Sequence, residues 1–361
     1  MHKVCTNSYA KDGQDNDIAA RLPELIELER ILDAAGSRLT ATVLTHIDVD
    51  HRSLPLYLIE MGSRDPAAPV IGLVGGIHGV ERIGSQVISA YLRLLVEYLS
   101  WDEGLQEQLS RLKLFMIPIA NPGGMWRNSR CNPRNVDLMR NAPIEAKSKV
   151  PFLLGGQRIS SRLPWYRGGA SEPMEPELQA LCDCVRQQVR GRPFALTLDC
   201  HSGFGLRDRL WIPYAGSHQP IDAIYAVHSL YRLFRRSHPN HGFYKFEPQS
   251  HSYTTHGDAW DMLYDELRQH SPFTLYLPLT LEMGSWLWLR KNPRQIFRFA
   301  NLFNPVVPHR RQRVLRRHLP LLEFLVSATR SYRHWLPPTD AAREQAAMEA
   351  RERWFPGERH D

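Results

Sequence analysis

The stretch Pro69-Val-Ile-Gly-Leu-Val-Gly-Gly-Ile77 runs directly into His78-Gly-Val-Glu81. Its apolar part lacks the alternation of a half-exposed strand and predicts a strand that is covered on both faces. A histidine and a glutamate three residues apart can bind one zinc ion if the backbone turns sharply just after the strand. Gly75, Gly76 and Gly79 permit such a turn, because glycine tolerates backbone angles that other residues avoid.

Two further apolar runs also end in a residue that can bind a metal or accept a proton. Phe194 to Cys200 leads into His201, and Thr274 to Leu281 leads into Glu282. Segments of helical periodicity separate these runs, so the pattern predicts an α/β sheet. The sheet is expected to be mixed, because two early strands are joined by a short polar turn at residues 49–53.

Sites in such sheets gather beyond the carboxyl ends of the strands, and His78, Glu81, His201 and Glu282 all fall at such ends. Two neutral imidazoles and one carboxylate form a three-ligand zinc set with one position open for water. Zinc lowers the pKa of such a water, and a further carboxylate can take its proton. Glu282 is the candidate for that base. The alternative, for each residue alone, is an ordinary hydrogen-bonded residue of the core or a loop.

Length and composition fit a soluble enzyme of 361 residues, 43% of them hydrophobic. No stretch approaches the ~20 uninterrupted apolar residues of a membrane span, and the first residues show no apolar signal core. The five cysteines are odd in number and follow no framework spacing. These features argue against a disulfide framework and favour a reduced, cytoplasmic setting.

The net charge of +7 is concentrated near the C-terminal end. From Arg290 to Arg333 the only acidic residue among many basic ones is Glu323. Such a surface can bind nucleic acid or acidic membrane lipid, whereas the alternative is a solvated helix face with long arginine side chains. No nucleic-acid-binding motif accompanies it, so nucleic acid is not the expected partner.

The domain organisation follows from these elements. We predict one catalytic domain over residues 1–335, with its core at 69–290 and a basic helical part at 291–335. The alternating charges of residues 341–353 predict an exposed helix or a frayed end, and we assign residues 336–361 to a charged tail. The sequence leaves the oligomeric state open.

Five short segments occur in the order seen in zinc metallocarboxypeptidases: Gly75–Glu81, Asn121–Gly124, Asn135–Asn141, Asp199–Ser202 and Leu281–Ser285. The chain resembles a bacterial branch of the carboxypeptidase A-like superfamily. That superfamily also contains the deacylases of the aspartoacylase and succinylglutamate desuccinylase type. The resemblance implies a three-layer α/β/α fold with a mixed central sheet and the hydrolysis of an amide bond.

By this resemblance, His78, Glu81 and His201 bind one zinc ion per chain and Glu282 is the general base. Asp137 matches the aspartate with which the family supports a ligand histidine. A carboxylate on the far imidazole nitrogen fixes the tautomer and orientation of such a ligand.

The resemblance also assigns roles to arginines. Arg130 is our choice for the arginine that polarises the scissile carbonyl, and Arg127 and Arg134 are its rivals for that contact with substrate. Arg140 matches the arginine that grips a substrate carboxylate, which suits a bidentate guanidinium. The asparagine that usually precedes it is Met139 here. That departure weakens the expectation of strict carboxypeptidase specificity.

Tyr253 is a candidate for the mobile tyrosine that covers bound substrate in the family, and the alternative is an ordinary loop tyrosine. The predicted function is a zinc metallocarboxypeptidase acting on peptides. An N-acyl amino acid deacylase with the same zinc centre is the alternative, and a noncatalytic zinc-binding protein is a third possibility. Glu282 argues against the third, because a purely structural site needs no free base.

Overall fold

The structure is a computed structural model that describes residues 14–356. Within that range, eight strands form one sheet. The strands are β1 (Thr40–Val49), β2 (Arg52–Gly62), β3 (Val70–Gly75), β4 (Lys113–Ile117), β5 (Phe194–Ser202), β6 (Arg209–Ile212), β7 (Lys245–Pro248) and β8 (Leu275–Met283). The helices are α1 (Gln14–Arg21), α2 (Pro23–Ala35), α3 (Arg82–Tyr98), α4 (Glu103–Ser110), α5 (Pro122–Trp126), α6 (Pro176–Val189), α7 (Ile224–Ser237), α8 (Ala259–His270), α9 (Trp286–Lys291), α10 (Pro308–Arg330) and α11 (Asp340–Trp354).

The sheet is mixed, and its strand order is β1-β2-β4-β3-β5-β8-β6-β7. The four central strands β4, β3, β5 and β8 run parallel. Antiparallel pairs join β1 to β2, β2 to β4 and β6 to β8. Because β3, β5 and β8 are parallel neighbours, their carboxyl ends lie side by side at one edge of the sheet.

Helices cover both faces of this sheet. Strands β3 and β5 are buried along their whole length, as parallel strands are when both faces are covered. Helices α3 and α10 pack against each other and against β3 and β5. Helices α6 and α8 also contact each other, and α6 contacts β1 and β3 while α8 contacts β8. The predicted three-layer α/β/α fold with a mixed central sheet is confirmed.

The C-terminal end differs from the prediction. Helix α11 packs against α7 and buries Ala346, Ala347, Ala350 and Trp354. The Trp354 indole donates a hydrogen bond of 2.8 Å from Nε1 to the Phe246 carbonyl. Of the two alternatives predicted for residues 341–353, the structure therefore has the helix, but this helix packs against α7 instead of being exposed along its whole surface. The apolar side of α11 consists mainly of alanines, which the surrounding charges conceal in the sequence.

The basic part at 291–335 is helical where α10 runs, but residues 293–302 form two short 3₁₀ turns, Pro293–Phe297 and Phe299–Leu302. No helix within residues 14–356 is both long enough and apolar enough to cross a membrane. Residues 1–13 of the predicted domain, Cys5 among them, lie outside the described residues.

Candidate metal centre

The turn after β3 positions His78 and Glu81. Gly76 has a φ of +72°, and a Cβ on Gly79 would lie 2.1 Å from the carbonyl carbon of Gly124. Both positions therefore require glycine, one for its backbone angle and the other for close approach. The Glu81 amide donates a hydrogen bond of 2.9 Å to the His78 carbonyl. This tight turn points both side chains to the carboxyl edge of the sheet.

The pairing of β5 with β8 positions the other two predicted residues. In the register of these parallel strands, His201 lies directly beside Glu282. On the other side of β5 lies β3, and its last residue, Gly75, pairs with Cys200. The register thus brings together residues that are about 80 to 200 positions apart in the chain.

His78, Glu81 and His201 converge, since their potential ligand atoms all lie within 4.8 Å of one another. His201 Nδ1 is 3.1 Å from Glu81 Oε2, and the two imidazole rings have centroids 5.0 Å apart. The Ser202 amide donates a hydrogen bond of 2.9 Å to the same Glu81 oxygen. All three side chains are buried.

The residues present fit a zinc ion. Two imidazoles and one carboxylate are a set that zinc accepts in catalytic sites. His78 Nδ1 is also buried without a hydrogen-bond partner among the described residues. A buried polar atom without a partner is costly and requires an explanation. A metal ion bound beside this imidazole would provide one.

The two histidines have opposite pKa shifts. Burial holds the pKa of His78 well below its ordinary value, and the nearby Arg130 lowers it further. Burial acts on His201 in the same direction, but Asp199 overcomes it and the pKa of His201 is raised well above its ordinary value. His201 Nε2 lies 2.6 Å from Asp199 Oδ2. Because Asp199 contacts Nε2 of His201, the other ring nitrogen, Nδ1, faces Glu81.

Glu282 lies next to this centre without belonging to the ligand cluster. Burial and the nearby Glu81 carboxylate raise the pKa of Glu282 to about 8. The Phe204 amide donates a hydrogen bond of 2.8 Å to Glu282 Oε1. A buried carboxyl with a raised pKa is suited to exchanging a proton near neutral pH.

The guanidinium of Arg130 contacts two of the candidate metal ligands and Asp137. Its Nε donates to Asp137 Oδ2 at 2.9 Å, and its Nη1 donates to Glu81 Oε1 at 3.3 Å. Its Nη2 lies 2.7 Å from His78 Nε2. Asp137 Oδ1 is 3.8 Å from His78 Nδ1, which is longer than a hydrogen bond. In the structure Asp137 therefore holds Arg130 more closely than it holds His78.

The structure does not bring Arg127 or Arg134 to this cavity. Arg127 is partly exposed and forms an ion pair of 2.7 Å with Asp50. Arg134 is exposed and forms ion pairs with Glu172 and Glu175. The prediction that Arg127 contacts substrate is not supported by this placement, because its guanidinium is already held by a carboxylate outside the site.

A cavity of about 390 Å³ adjoins the centre, and Arg140 and Tyr253 line it together with the metal-site residues. Arg140 is buried, and its Nη2 has no hydrogen-bond partner among residues 14–356. The ring of Tyr253 lies 5.8 Å from the Arg140 guanidinium carbon and packs against Phe204 and Trp211. Met139 also lines the cavity.

Comparison with known proteins agrees with this geometry. A family model described as zinc carboxypeptidase matches residues 36–294. The chain belongs to the zinc carboxypeptidase family. This membership confirms the resemblance inferred from the ordered segments and places the chain among zinc-dependent metallopeptidases.

Individual relatives of the family are distant. Carboxypeptidase Z of Mus musculus is 28% identical over 199 residues, which cover 49% of this chain and 29% of that protein. Carboxypeptidase SOL1 of Arabidopsis thaliana is 24% identical over 246 residues, which cover 65% of this chain and 44% of that protein. The chain thus spans less than half the length of these two curated relatives.

Solved structures show the same fold at low identity. The crystal structure of thrombin-activatable fibrinolysis inhibitor superposes with a TM-score of 0.61 at 19% identity, covering 84% of this chain and 72% of that one. Carboxypeptidase A from Helicoverpa armigera gives a TM-score of 0.58 at 16% identity, covering 84% and 71%. These similarities establish the zinc carboxypeptidase fold for the chain.

Two buried carboxylates beside this site were given no role in it from the sequence. Asp199 contacts His201 and also accepts a hydrogen bond of 2.9 Å from Trp260 Nε1. Its position two residues before His201 on the same strand was the available signal, because residues i and i+2 share one face of a strand. Asp258 caps α8 through Oδ1, at 2.9 Å from the Trp260 amide. Its Oδ2 is buried without a partner within the described range, and the residue lines the cavity.

Proposed function

We propose that this chain is a zinc-dependent carboxypeptidase that removes a C-terminal residue from a peptide, with one zinc ion per chain. The observation that carries this proposal is the Nη2 donor of Arg140. It is buried without a hydrogen-bond partner in the described chain, and Arg140 lines the same cavity as Glu282 and the three candidate ligands. A buried charged donor without a partner is unfavourable, and a substrate carboxylate would satisfy it.

The cavity walls orient such a substrate. Arg140 binds the terminal carboxylate, and the Tyr253 ring covers it from the side of Phe204 and Trp211. Asp258 Oδ2 offers an acceptor to a donor group elsewhere on the substrate. Holding the peptide at both places brings the scissile carbonyl to the end of the cavity where Glu282 lies, and such positioning lowers the barrier to reaction.

The chemical step then uses two of the chain's own residues. A zinc ion held by His78, Glu81 and His201 would polarise the carbonyl and acidify water when bound. Glu282 accepts the proton of the attacking water and later passes it to the leaving amine. Arg130 donates hydrogen bonds to the negative charge that develops on the carbonyl oxygen.

Hydrolysis of N-acyl amino acids is the second candidate, and Met139 is the observation that favours it. Met139 lines the cavity where an amide donor would complete the grip on a terminal carboxylate. With Arg140 alone, the grip on a peptide terminus is weaker, and a small acyl amino acid is an alternative substrate. The noncatalytic reading is disfavoured, because a structural zinc site does not need the buried Glu282 beside it.

The test compares matched peptides that end in a free acid or in an amide, together with N-acetyl and N-succinyl amino acids. A carboxypeptidase cleaves the acid and largely ignores the amide. Arg140→Met should lower the rate on the acid about tenfold to a hundredfold and leave the slow rate on the amide unchanged. Equal rates on the two peptides would exclude the carboxylate contact. Activity confined to the acyl amino acids would establish the deacylase instead.

A second variant separates chemistry from metal binding in this test. Glu282→Gln keeps the shape of the side chain but cannot take a proton. It should retain about one zinc ion per chain and lose activity by roughly 10² to 10⁴-fold. Near-normal turnover in this variant would contradict the role of Glu282. His78→Ala, Glu81→Ala and His201→Ala should each purify poor in zinc.

The cytoplasmic setting is part of the same proposal. Among the described cysteines, Cys182, Cys184 and Cys200 are free and buried. Free buried thiols are usual in a reducing compartment. Fractionation of cells that express this protein tests this assignment.

A further inference from the structure

The segment 286–303, which follows β8, exposes both apolar and basic side chains. Trp286, Ile296, Phe297 and Phe299 are 47%, 63%, 85% and 59% exposed. Scattered exposed apolar residues are normal on a soluble protein, but a contiguous group of large ones marks an interaction site. We call the segment 286–303 the mouth segment, because Phe299 and Phe303 also line the cavity of the candidate active site.

Basic residues alternate with these apolar residues. Arg290, Lys291, Arg294 and Arg298 are exposed, and none of them forms an ion pair with a described residue. The sequence contains no Asp or Glu between Glu282 and Glu323. The positive charge of the mouth segment is therefore not neutralised locally.

The exposure of these side chains is a consequence of an ordered backbone. Gln295 is buried, and its Nε2 donates hydrogen bonds of 3.0 Å to the Asn301 carbonyl and 3.2 Å to the Asn304 carbonyl. The Asn304 side chain in turn accepts from the Ile83 amide at 3.0 Å. These contacts fix the turn on which Ile296 and Phe297 point outward.

We infer that the mouth segment docks the protein on a membrane surface that contains anionic phospholipid. Aromatic and aliphatic side chains gain free energy by entering the boundary between headgroups and acyl chains, and arginine and lysine attract the anionic headgroups. A second loop that lines the cavity supports this orientation. This loop contributes lining residues, Leu154 and Trp165, and exposes Phe152 at 83% and Ile159 at 68%.

Two other occupants explain the surface less well. A nucleic acid would satisfy the arginines through its phosphates, but an exposed isoleucine contributes nothing to phosphate contacts. A second copy of the chain in a two-fold dimer would place the same patch against itself. That arrangement brings unneutralised positive charges together, which is repulsive.

The experiment is flotation of the full-length protein with vesicles of phosphatidylglycerol and phosphatidylcholine, compared with pure phosphatidylcholine vesicles. We expect binding to the anionic vesicles that weakens with salt, because screening shortens the reach of the charges. Ile296→Ser with Phe297→Ser should weaken binding at least about tenfold, through loss of the inserted apolar groups. Arg294→Glu with Arg298→Glu should weaken it about twentyfold or more, since each basic residue contributes about fivefold.

Matched controls come from the opposite edge of the sheet. Phe273 is 95% exposed just before β8, and Arg64 is exposed just after β2. Phe273→Ser and Arg64→Glu should leave vesicle binding unchanged, and the melting temperature reports whether each variant is folded.

Three results would overturn the inference. One is the absence of binding to anionic vesicles at low salt, and another is equal weakening by the control and mouth-segment variants. The third is binding to a single-stranded polynucleotide without binding to vesicles, which would assign the surface to nucleic acid. None of these measurements depends on catalytic activity, so they stand apart from the test of the proposed carboxypeptidase.

Discussion

Asp199 decides which nitrogen of His201 faces the candidate metal site. Its Oδ2 lies 2.6 Å from His201 Nε2, while Nδ1 of the same ring lies 3.1 Å from Glu81. A carboxylate behind a ligand histidine fixes the tautomer and raises the basicity of the ring. Asp199→Asn removes this charge but keeps the shape and the acceptor for Trp260.

We therefore expect Asp199→Asn to fold normally and to bind zinc about 10- to 100-fold more weakly. Competition with a chelator measures the affinity, and the melting temperature of the metal-free protein is the control for folding. An unchanged zinc affinity would show that Asp199 only holds Trp260 in place.

Arg130 and Arg127 form a matched pair, because they are three positions apart and differ in what they contact. Arg130 reaches Glu81 and His78, whereas Arg127 is held by Asp50 away from the cavity. Arg130→Lys should retain zinc and lose turnover by about 10² to 10³-fold, as does the loss of a donor to a developing oxyanion. Arg127→Lys should leave turnover within about twofold of the unchanged protein. The reverse result would transfer the role to Arg127.

Among the elements, the turn from β3 into α3 has little room for change. A Cβ at position 79 would meet the Gly124 carbonyl carbon at 2.1 Å, and backbone cannot move away as a flexible side chain can. Gly79→Ala should therefore destabilise the protein by about 1–3 kcal/mol and reduce its zinc content. Gly104→Ala in α4 is the control, because its nearest neighbour is the Asp102 side chain at 3.1 Å. Thermal unfolding with and without zinc distinguishes the two variants. Equal melting temperatures and equal stabilisation by zinc would show that position 79 tolerates a Cβ.

The elements also show what the sequence could predict. Strands β3, β5 and β8 contain the apolar runs that lead into His78, His201 and Glu282, so both the strands and these site residues could be predicted from the sequence. Register was not evident, because no local pattern states that His201 pairs with Glu282. Short elements such as α4, with eight residues, and β7, with four, were missed, because each is too short to show a clear periodic pattern. Helix α11 was one of the two alternatives for residues 341–353, but its packing was missed because alanines form most of its buried face.

At the scale of the whole molecule, a buried polar cluster joins α10 to the segments flanking β6 and β7. His318 on α10 lies 2.8 Å through Nδ1 from the Tyr244 hydroxyl. Asp208 accepts from Arg317 at 3.0 Å and lies 3.9 Å from His318 Nε2. The same carboxylate accepts a hydrogen bond of 3.0 Å from the Gly284 amide just after β8. The stability of this cluster therefore affects both the basic helix and the end of the strand that carries Glu282.

Burial lowers the pKa of His318 to about 4, although the nearby Asp208 carboxylate acts to raise it. Above about pH 6.5 the ring is neutral in the folded and in the unfolded chain. Between about pH 6.5 and pH 4 the unfolded chain binds the proton and the folded one does not, so the free energy of unfolding falls as the pH falls. His318→Gln keeps a neutral partner for Tyr244 and removes the titration. From pH 7 to pH 4, the wild-type protein should thus lose roughly 3 kcal/mol more than the variant. Denaturant unfolding at a series of pH values measures this difference, and parallel pH profiles would show that His318 is not kept neutral by the fold.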